Sequence, residues 1–159
     1  MQNQEAAAAQ RHSSEATAHL IVYLLDTNVI SELRKTKPHG AALAWYQSVA
    51  SSSLHLSVVV LGEIQAGIEL TRENNKAKAL EIEAWLNGLQ ASFAVVDISA
   101  GVYRRWAKLT HRKPDHHDQD AMIAATALVH DLTVVTRNVK DFKPFGVALL
   151  DPFKFASRP

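Results

Sequence analysis

An apolar run at residues 21–25 (IVYLL) is followed at once by an aspartate, Asp26, with no turn residue between them. The run predicts a buried strand. Apolar residues then recur at helical spacing, which predicts a helix over residues 27–35 that begins at the Asp-Thr-Asn turn. An unpaired acid at the end of such an apolar strand requires an explanation, because ionised side chains are costly to bury.

The rest of the chain alternates between strand and helix patterns. The strands are predicted at residues 21–25, 54–57, 93–98, 132–136 and 146–150. The helices are predicted at residues 27–35, 41–50, 58–70, 74–90, 100–112 and 121–130, with a turn at 137–142 (RNVKDF). Segment 58–70 fits a strand by its valines, but the spacing of Leu61, Ile64 and Ile68 favours a helix. The alternation predicts an α/β fold whose parallel sheet is covered on both faces.

Length and composition are those of one ordinary globular domain. The chain has 159 residues, of which 47% are hydrophobic and 21% charged, and its formal charge of +1 gives no strong overall attraction to nucleic acid. The absence of cysteine excludes disulfides and thiolate chemistry. No apolar stretch approaches the roughly 20 residues that span a membrane. We expect a flexible tail at residues 1–19, a domain at 20–155 and a short tail at 156–159.

Three further acids lie in unusual contexts. Glu63 interrupts the apolar segment VVVLGEIQAGI, where either an Arg or Lys partner or a bound cation would compensate its charge. Asp120 precedes the apolar helix AMIAATALV and is in a position to cap it, although Asp118 would cap it equally well and leave Asp120 facing a site. Asp141 fits an ordinary turn residue.

Taken together, Asp26, Glu63, Asp120 and Asp141 come from four elements that can meet at one edge of a parallel sheet. Such a cluster repels itself unless a cation neutralises it. Hard oxygen ligands without cysteine suit Mg²⁺ or Mn²⁺. Because Mg²⁺ usually meets phosphate oxygens, we expect phosphate-ester chemistry.

Four segments carry a resemblance to a known family: LLDTNVISEL, SVVVLGEIQAGIEL, DAMIAATALVHDLTVVTRNVKDF and GVALLDPF. They extend over about residues 21–153. In this order they resemble PIN-domain ribonucleases of the VapC/FitB toxin type. The resemblance implies a three-layer α/β/α fold and hydrolysis of RNA phosphodiester bonds that depends on Mg²⁺ or Mn²⁺.

The resemblance also implies roles for individual residues. The catalytic acids are Asp26, Glu63, Asp120 and Asp141. We expect Asp26 and Asp120 to bind the metal directly, Glu63 to bind it through water or to orient the nucleophile, and Asp141 to complete a second ion site. Polar supporting positions fall on Asn28, Thr136 and Asn138. Asp118 is a rival to Asp120 as third ligand, and Asp120 is preferred because it directly abuts AMIAATA.

Basic side chains are expected to contact RNA or an antitoxin. The candidates are Arg34, Arg104, Lys108, Arg112 and Arg137. Arg104, Lys108 and Arg112 share a face of the predicted helix, although that face fits a simply solvated surface as well. The resemblance further implies a small VapB-like antitoxin, a homodimer and a cytoplasmic location.

Two other function classes remain open. A phosphatase with an aspartyl nucleophile also carries an acid after its first strand, but it usually has a second acid two residues later, where this chain has Asn28. The other class is a metal-free or inactive PIN-like interaction module whose acids serve only as caps and ion-pair partners.

Overall fold

The computed structural model describes residues 20–114 and 118–156. A five-stranded, all-parallel sheet forms its centre. The strands are β1 (Tyr23–Leu25), β2 (Leu54–Ser57), β3 (Ala94–Val96), β4 (Thr133–Val135) and β5 (Leu149–Leu150). The helices are α1 (Thr27–Leu33), α2 (Gly40–Ser48), α3 (Val58–Asn74), α4 (Lys76–Ser92), α5 (Ala100–Thr110), α6 (Asp118–His130) and α7 (Val139–Phe142).

The strand order is β3-β2-β1-β4-β5. The chain therefore moves outward from β1 to β3, then crosses to the other side of β1 to form β4 and β5. Since such crossovers are right-handed, the helices before and after β3 cover opposite faces, which confirms the predicted three-layer α/β/α arrangement. The order reverses between β1 and β4, and ligands of open α/β sheets bind at the carboxyl ends of strands beside such a point.

The core explains why the strands read as continuous apolar runs. Leu24, Leu25, Val134 and Val135 are all fully buried, because the two central strands are covered on both faces. Helix α6 is packed nearly all round. Its fully buried residues are Ala121, Ile123, Ala124, Ala125, Thr126 and Ala127. In the part of the chain that the structure describes, no helix has both the length and the apolar character needed to cross a membrane.

The predicted order of elements is confirmed, including the choice of a helix over a strand for the segment that begins at Val58. Residues 137–142 were wrongly predicted as a turn, because α7 forms there and buries Phe142 completely. Helix α6 begins at Asp118 rather than at residue 121. The tail predicted for residues 1–19 lies outside the described residues, as does most of the tail predicted for 156–159.

Helix α5 ends at Thr110 rather than at residue 112. Arg112 has a φ of 57°, which a right-handed helix does not allow. The prediction that Arg112 continues the face of Arg104 and Lys108 is therefore wrong.

Helix α3, which carries Glu63, begins directly where β2 ends. Ser57 makes this junction, because its buried hydroxyl oxygen accepts a hydrogen bond from the backbone N–H of Val59 at 3.1 Å. The cap fixes the residue at which α3 begins, and this sets how far along the helix Glu63 lies from the end of β2.

We expect Ser57→Ala to lower the free energy of unfolding by about 0.5–2 kcal/mol, because the N–H of the half-buried Val59 loses its capping partner. Urea unfolding measures the change. Ser53→Ala is the matched control, since the Ser53 hydroxyl only donates to Ala50 in an exposed turn. Equal losses in the two variants would contradict the role assigned to Ser57.

Candidate active site

Asp26 joins β1 to α1 at the carboxyl edge of the sheet. Its backbone N–H donates to the carbonyl of Val135 at 2.9 Å, which extends the pairing of β1 with β4 by one residue. Its side chain caps α1, because Oδ1 accepts a hydrogen bond from the backbone N–H of Thr27 at 2.8 Å. The residue is only 5% exposed. The acid that follows the apolar run is thus buried between the two central strands.

Two further donors hold the other carboxylate oxygen of Asp26. Oδ2 accepts from the Thr136 hydroxyl at 2.7 Å and from the Asn28 side-chain amide at 3.1 Å. The Thr136 oxygen in turn accepts from the backbone N–H of Asn138 at 3.0 Å, and Asn28 Oδ1 accepts from the backbone N–H of Arg137 at 3.2 Å. The structure therefore brings the three supporting residues expected from the sequence into one network around Asp26.

Glu63 reaches the same edge from the second turn of α3. Its Oε2 accepts a hydrogen bond from the hydroxyl of Thr27, the first residue of α1. Sequence reasoning assigned no role to Thr27, although it lies between two residues for which roles were expected. A hydroxyl residue at the start of a helix usually acts as a local cap, so the signal was easily missed.

Burial raises the pKa of both carboxyl groups. For Asp26 the largest cause is desolvation, and the hydrogen bonds from Thr136, Thr27 and Asn28 oppose it. For Glu63 desolvation is again the largest cause; the bond from Thr27 opposes it, and the negative charge of Asp26 adds to it. The two acids are therefore close enough for their charges to repel each other.

No basic side chain pairs with Asp26 or Glu63 in residues 20–114 and 118–156. Compensation of the Glu63 charge by an Arg or Lys partner, one of the two expectations from the sequence, is therefore not found in these ranges. Two mutually repelling carboxylates with hard oxygen atoms at a sheet switch point fit a divalent cation such as Mg²⁺ or Mn²⁺. Within the same described ranges, however, no three His, Asp or Glu side chains are grouped closely enough to form a metal site.

The other predicted acids lie on neighbouring elements. Asp120 is half-buried in the first turn of α6. Asp118, its rival, is exposed, and its carbonyl accepts a hydrogen bond from the Trp106 indole N–H at 3.2 Å. Asp141 is exposed on α7, where its backbone N–H donates to the Asn138 carbonyl. The convergence of all four acids stays a prediction.

Comparison with known proteins now identifies the family. The model of the PIN domain matches residues 23–145, more than three quarters of the 159-residue chain. The chain belongs to the PIN domain family. The matched region contains every acid discussed above, from Asp26 to Asp141.

Individual relatives of this PIN domain match most of the chain. It is 31% identical over 136 residues to the toxin FitB of Neisseria gonorrhoeae, covering 82% of this chain and 97% of that protein. It is also 31% identical over 139 residues to the VapC ribonuclease Y4jK of Sinorhizobium fredii, covering 82% and 97%. The solved structure of FitAB bound to an IR36 DNA fragment matches with a TM-score of 0.74 and 28% identity, covering 87% of this chain and all of that chain.

The basic candidates of this PIN domain differ in how they relate to the acids. The backbone of Arg137 is joined to Asn28, and its guanidinium lies 4.5 Å from the centre of the Phe153 ring. Arg34 instead pairs with Glu81 on α4 at 3.2 Å. Three others are exposed on α5 or just after it, namely Arg104, Lys108 and Arg112. Arg137 is therefore the candidate whose link to the Asp26 network is direct.

The raised pKa of Glu63 gives a pH-dependent prediction. A carboxyl group whose pKa is higher in the folded state favours folding below its ordinary pKa and loses that contribution as the pH rises through the higher value. We expect Glu63→Gln to raise the melting temperature in chelator at pH 7 by about 1–3 °C, the modest size reflecting solvent screening of a half-buried group. The amide oxygen still accepts from Thr27.

The gain should vanish near pH 4, where the wild-type carboxyl group is also protonated. Thermal melts followed by circular dichroism at both pH values make the comparison. Glu73→Gln is the matched control, since it makes the same change at an exposed position of the same helix, α3. A gain for Glu63→Gln that is the same at both pH values would show that ionisation of Glu63 is not its cause.

Proposed function

We propose that this protein is a divalent-metal-dependent endoribonuclease that acts as the toxin of a toxin–antitoxin pair. Support comes from two relatives at 31% identity, one named a toxin and the other a ribonuclease. The observation that carries the proposal is the pair formed by Asp26 and Glu63. Two buried or half-buried acids without a basic partner in the described residues suit a cation-dependent nuclease better than a passive interaction module.

The proposed metal is Mg²⁺ or Mn²⁺, and Asp26, Glu63, Asp120 and Asp141 would hold it. When bound, such an ion lowers the pKa of water and stabilises the charge that develops on the leaving oxygen. Asp26 is suited to direct binding, because three hydrogen bonds fix its carboxylate before any ligand arrives. Glu63 is held by a single hydroxyl, which fits a residue that ligates through water or orients the nucleophile.

The network also speaks against the alternative of an aspartyl-nucleophile phosphatase. Such an enzyme usually places a second acid two residues after the nucleophile. Here Asn28 occupies that position, and its amide donates to Asp26 while its carbonyl oxygen accepts from Arg137. Both ends of the Asn28 side chain are therefore hydrogen-bonded, the amide to Asp26 and the carbonyl oxygen to the segment that follows β4.

The proposed partners are an RNA substrate and a VapB-like antitoxin that inhibits the nuclease. One similar protein of known structure is FitAB, which was solved bound to a DNA fragment. The similar protein FitB is named a toxin. We further propose a homodimer in the cytoplasm. A toxin whose target is cellular RNA must be kept inhibited until it is released, which explains the need for a dedicated partner.

Asp26→Asn should abolish RNA cleavage while leaving a folded protein. The amide keeps the shape of the carboxylate but removes the negative charge that attracts the cation. For the wild type, Mn²⁺ at a hundredfold excess over its dissociation constant should add about 2.7 kcal/mol to stability, and the variant should lose most of this gain. Cleavage of a labelled RNA and thermal melts, each with Mn²⁺ and with chelator, measure both effects.

Circular dichroism controls for misfolding in this experiment. Cleavage at the wild-type rate by Asp26→Asn, purified free of contaminating nuclease, would refute the assignment. Wild-type cleavage that persists in chelator would refute metal dependence while leaving the nuclease assignment intact.

Arg137→Ala should weaken RNA binding. The Arg137 backbone N–H is bonded to Asn28 of the Asp26 network, and its guanidinium packs on the Phe153 ring, so the side chain is restrained in the segment that follows β4. We expect KM for RNA to rise several-fold with little change in kcat. The slope of log KM against log salt concentration should fall by about 1, the change expected when one phosphate contact is lost.

Arg72→Ala is the matched control for Arg137→Ala, because Arg72 pairs with Glu69 and Glu83 on α3 and α4, away from the network. Steady-state kinetics at three or more salt concentrations separate the two variants. An unchanged salt slope in Arg137→Ala would show that Arg137 makes no phosphate contact.

A further inference from the structure

Thr27 is the one described residue that hydrogen-bonds both acids of the site. Its backbone N–H donates to Asp26 Oδ1 at 2.8 Å, and its side-chain hydroxyl donates to Glu63 Oε2. It is the first residue of α1, and it is half-buried. Thr27 thus joins the helix that follows β1 to the helix that follows β2.

The two acids depend on Thr27 to different degrees. Asp26 also accepts hydrogen bonds from Thr136 and Asn28, so its carboxylate would remain in place without Thr27. Glu63 accepts only the bond from Thr27 among the side-chain hydrogen bonds of the described residues. Any residue except proline at position 27 would supply the N–H to Asp26, but the contact to Glu63 requires a side-chain donor, which the threonine hydroxyl provides.

Without this bond, three effects would favour conformations in which Glu63 lies farther from Asp26. The negative charge of Asp26 repels the Glu63 carboxylate, and Glu63 is only half-buried, so water is accessible to it. A free glutamate side chain also regains rotamer entropy when it is released. The branched Cβ of Thr27 restricts its own χ1 angle, so its hydroxyl is a comparatively rigid anchor.

We propose that Thr27 is a positioning residue that holds the Glu63 carboxylate beside Asp26, so that the two acids present their oxygens to one divalent cation. This inference rests on the proposed metal-dependent function. Thr27 itself neither binds the ion nor contacts the RNA. Its contribution is to reduce the reorganisation that Glu63 must undergo when the ion binds.

Two substitutions at position 27 test the proposal. Thr27→Val keeps the branched shape and the backbone N–H but lacks the hydroxyl, whereas Thr27→Ser keeps the hydroxyl. The control is Thr71→Val on α3. The Thr71 hydroxyl makes one side-chain hydrogen bond in the described residues, to the carbonyl of Gly67 on the same helix. Each full-length protein is titrated with Mn²⁺ by calorimetry, and its cleavage of a labelled RNA is measured.

We expect Thr27→Val to weaken Mn²⁺ binding by about tenfold, the factor that corresponds to one charge-assisted hydrogen bond of about 1.4 kcal/mol. Its kcat should fall at subsaturating Mn²⁺ while KM for RNA stays within twofold of the wild type. Thr27→Ser should restore both quantities, and Thr71→Val should leave them unchanged. A merely structural role would instead lower the melting temperature without this separation of kcat from KM.

The effect must also depend on Glu63. In a Glu63→Met background, which removes the acceptor, Thr27→Val should cause no further loss of Mn²⁺ affinity. Equal Mn²⁺ affinity in the wild type and Thr27→Val would overturn the proposal, as would equal losses in Thr27→Val and Thr27→Ser or a full additional loss in the Glu63→Met background.

Failure of the proposed function is distinguishable from failure of this inference. A wild-type protein that neither binds Mn²⁺ nor cleaves RNA would refute the function and the inference together. A wild-type protein that does both, with a Thr27→Val variant that matches it, would refute only the inference.

Discussion

The buried carboxylate of Asp26 is the constraint on which this site depends. The Asp26 residue is 5% exposed, so its carboxylate has lost most of its hydration, and this loss costs several kcal/mol unless protein donors replace the water. The replacement donors are the N–H of Thr27, the amide of Asn28 and the hydroxyl of Thr136. Two belong to the start of α1 and one follows β4, so the bonds that solvate the charge also hold these two elements together.

The replacement of water is incomplete, since burial still raises the pKa of Asp26 despite its three donors. Glu63 adds a second negative charge to the same edge and is itself destabilised by the first. A protein selected only for stability would place a lysine or arginine here. No lysine or arginine of the described residues pairs with either acid, and the guanidinium of Arg137 packs on the Phe153 ring. The site thus keeps an electrostatic cost that a bound cation would remove, and such unrelieved costs are typical of functional centres.

Much of the fold was predictable, because strands buried on both faces and amphipathic helices leave different periods in the sequence. Helix α3 shows how a local ambiguity is resolved: valines favour a strand, but Ile64 and Ile68 recur at helical spacing and both are buried. Helix α7 could not be predicted, because four residues are too few to show a helical period of apolar side chains. It forms because Phe142 is fully buried and contacts the ring of Phe145, a tertiary effect that the segment RNVKDF does not show.

Site residues could be predicted where they directly follow a strand or match a motif of the family. Asp26 and Thr136 follow neighbouring strands, so their proximity follows from the topology. The role of Thr27 follows from neither, because its hydroxyl meets a residue 36 positions away on another helix. The backbone and the side chain of Thr27 have separate functions, since the N–H binds Asp26 and the hydroxyl binds Glu63. Its backbone serves Asp26 whatever the side chain, so a requirement for threonine or serine at this position reports on Glu63 alone.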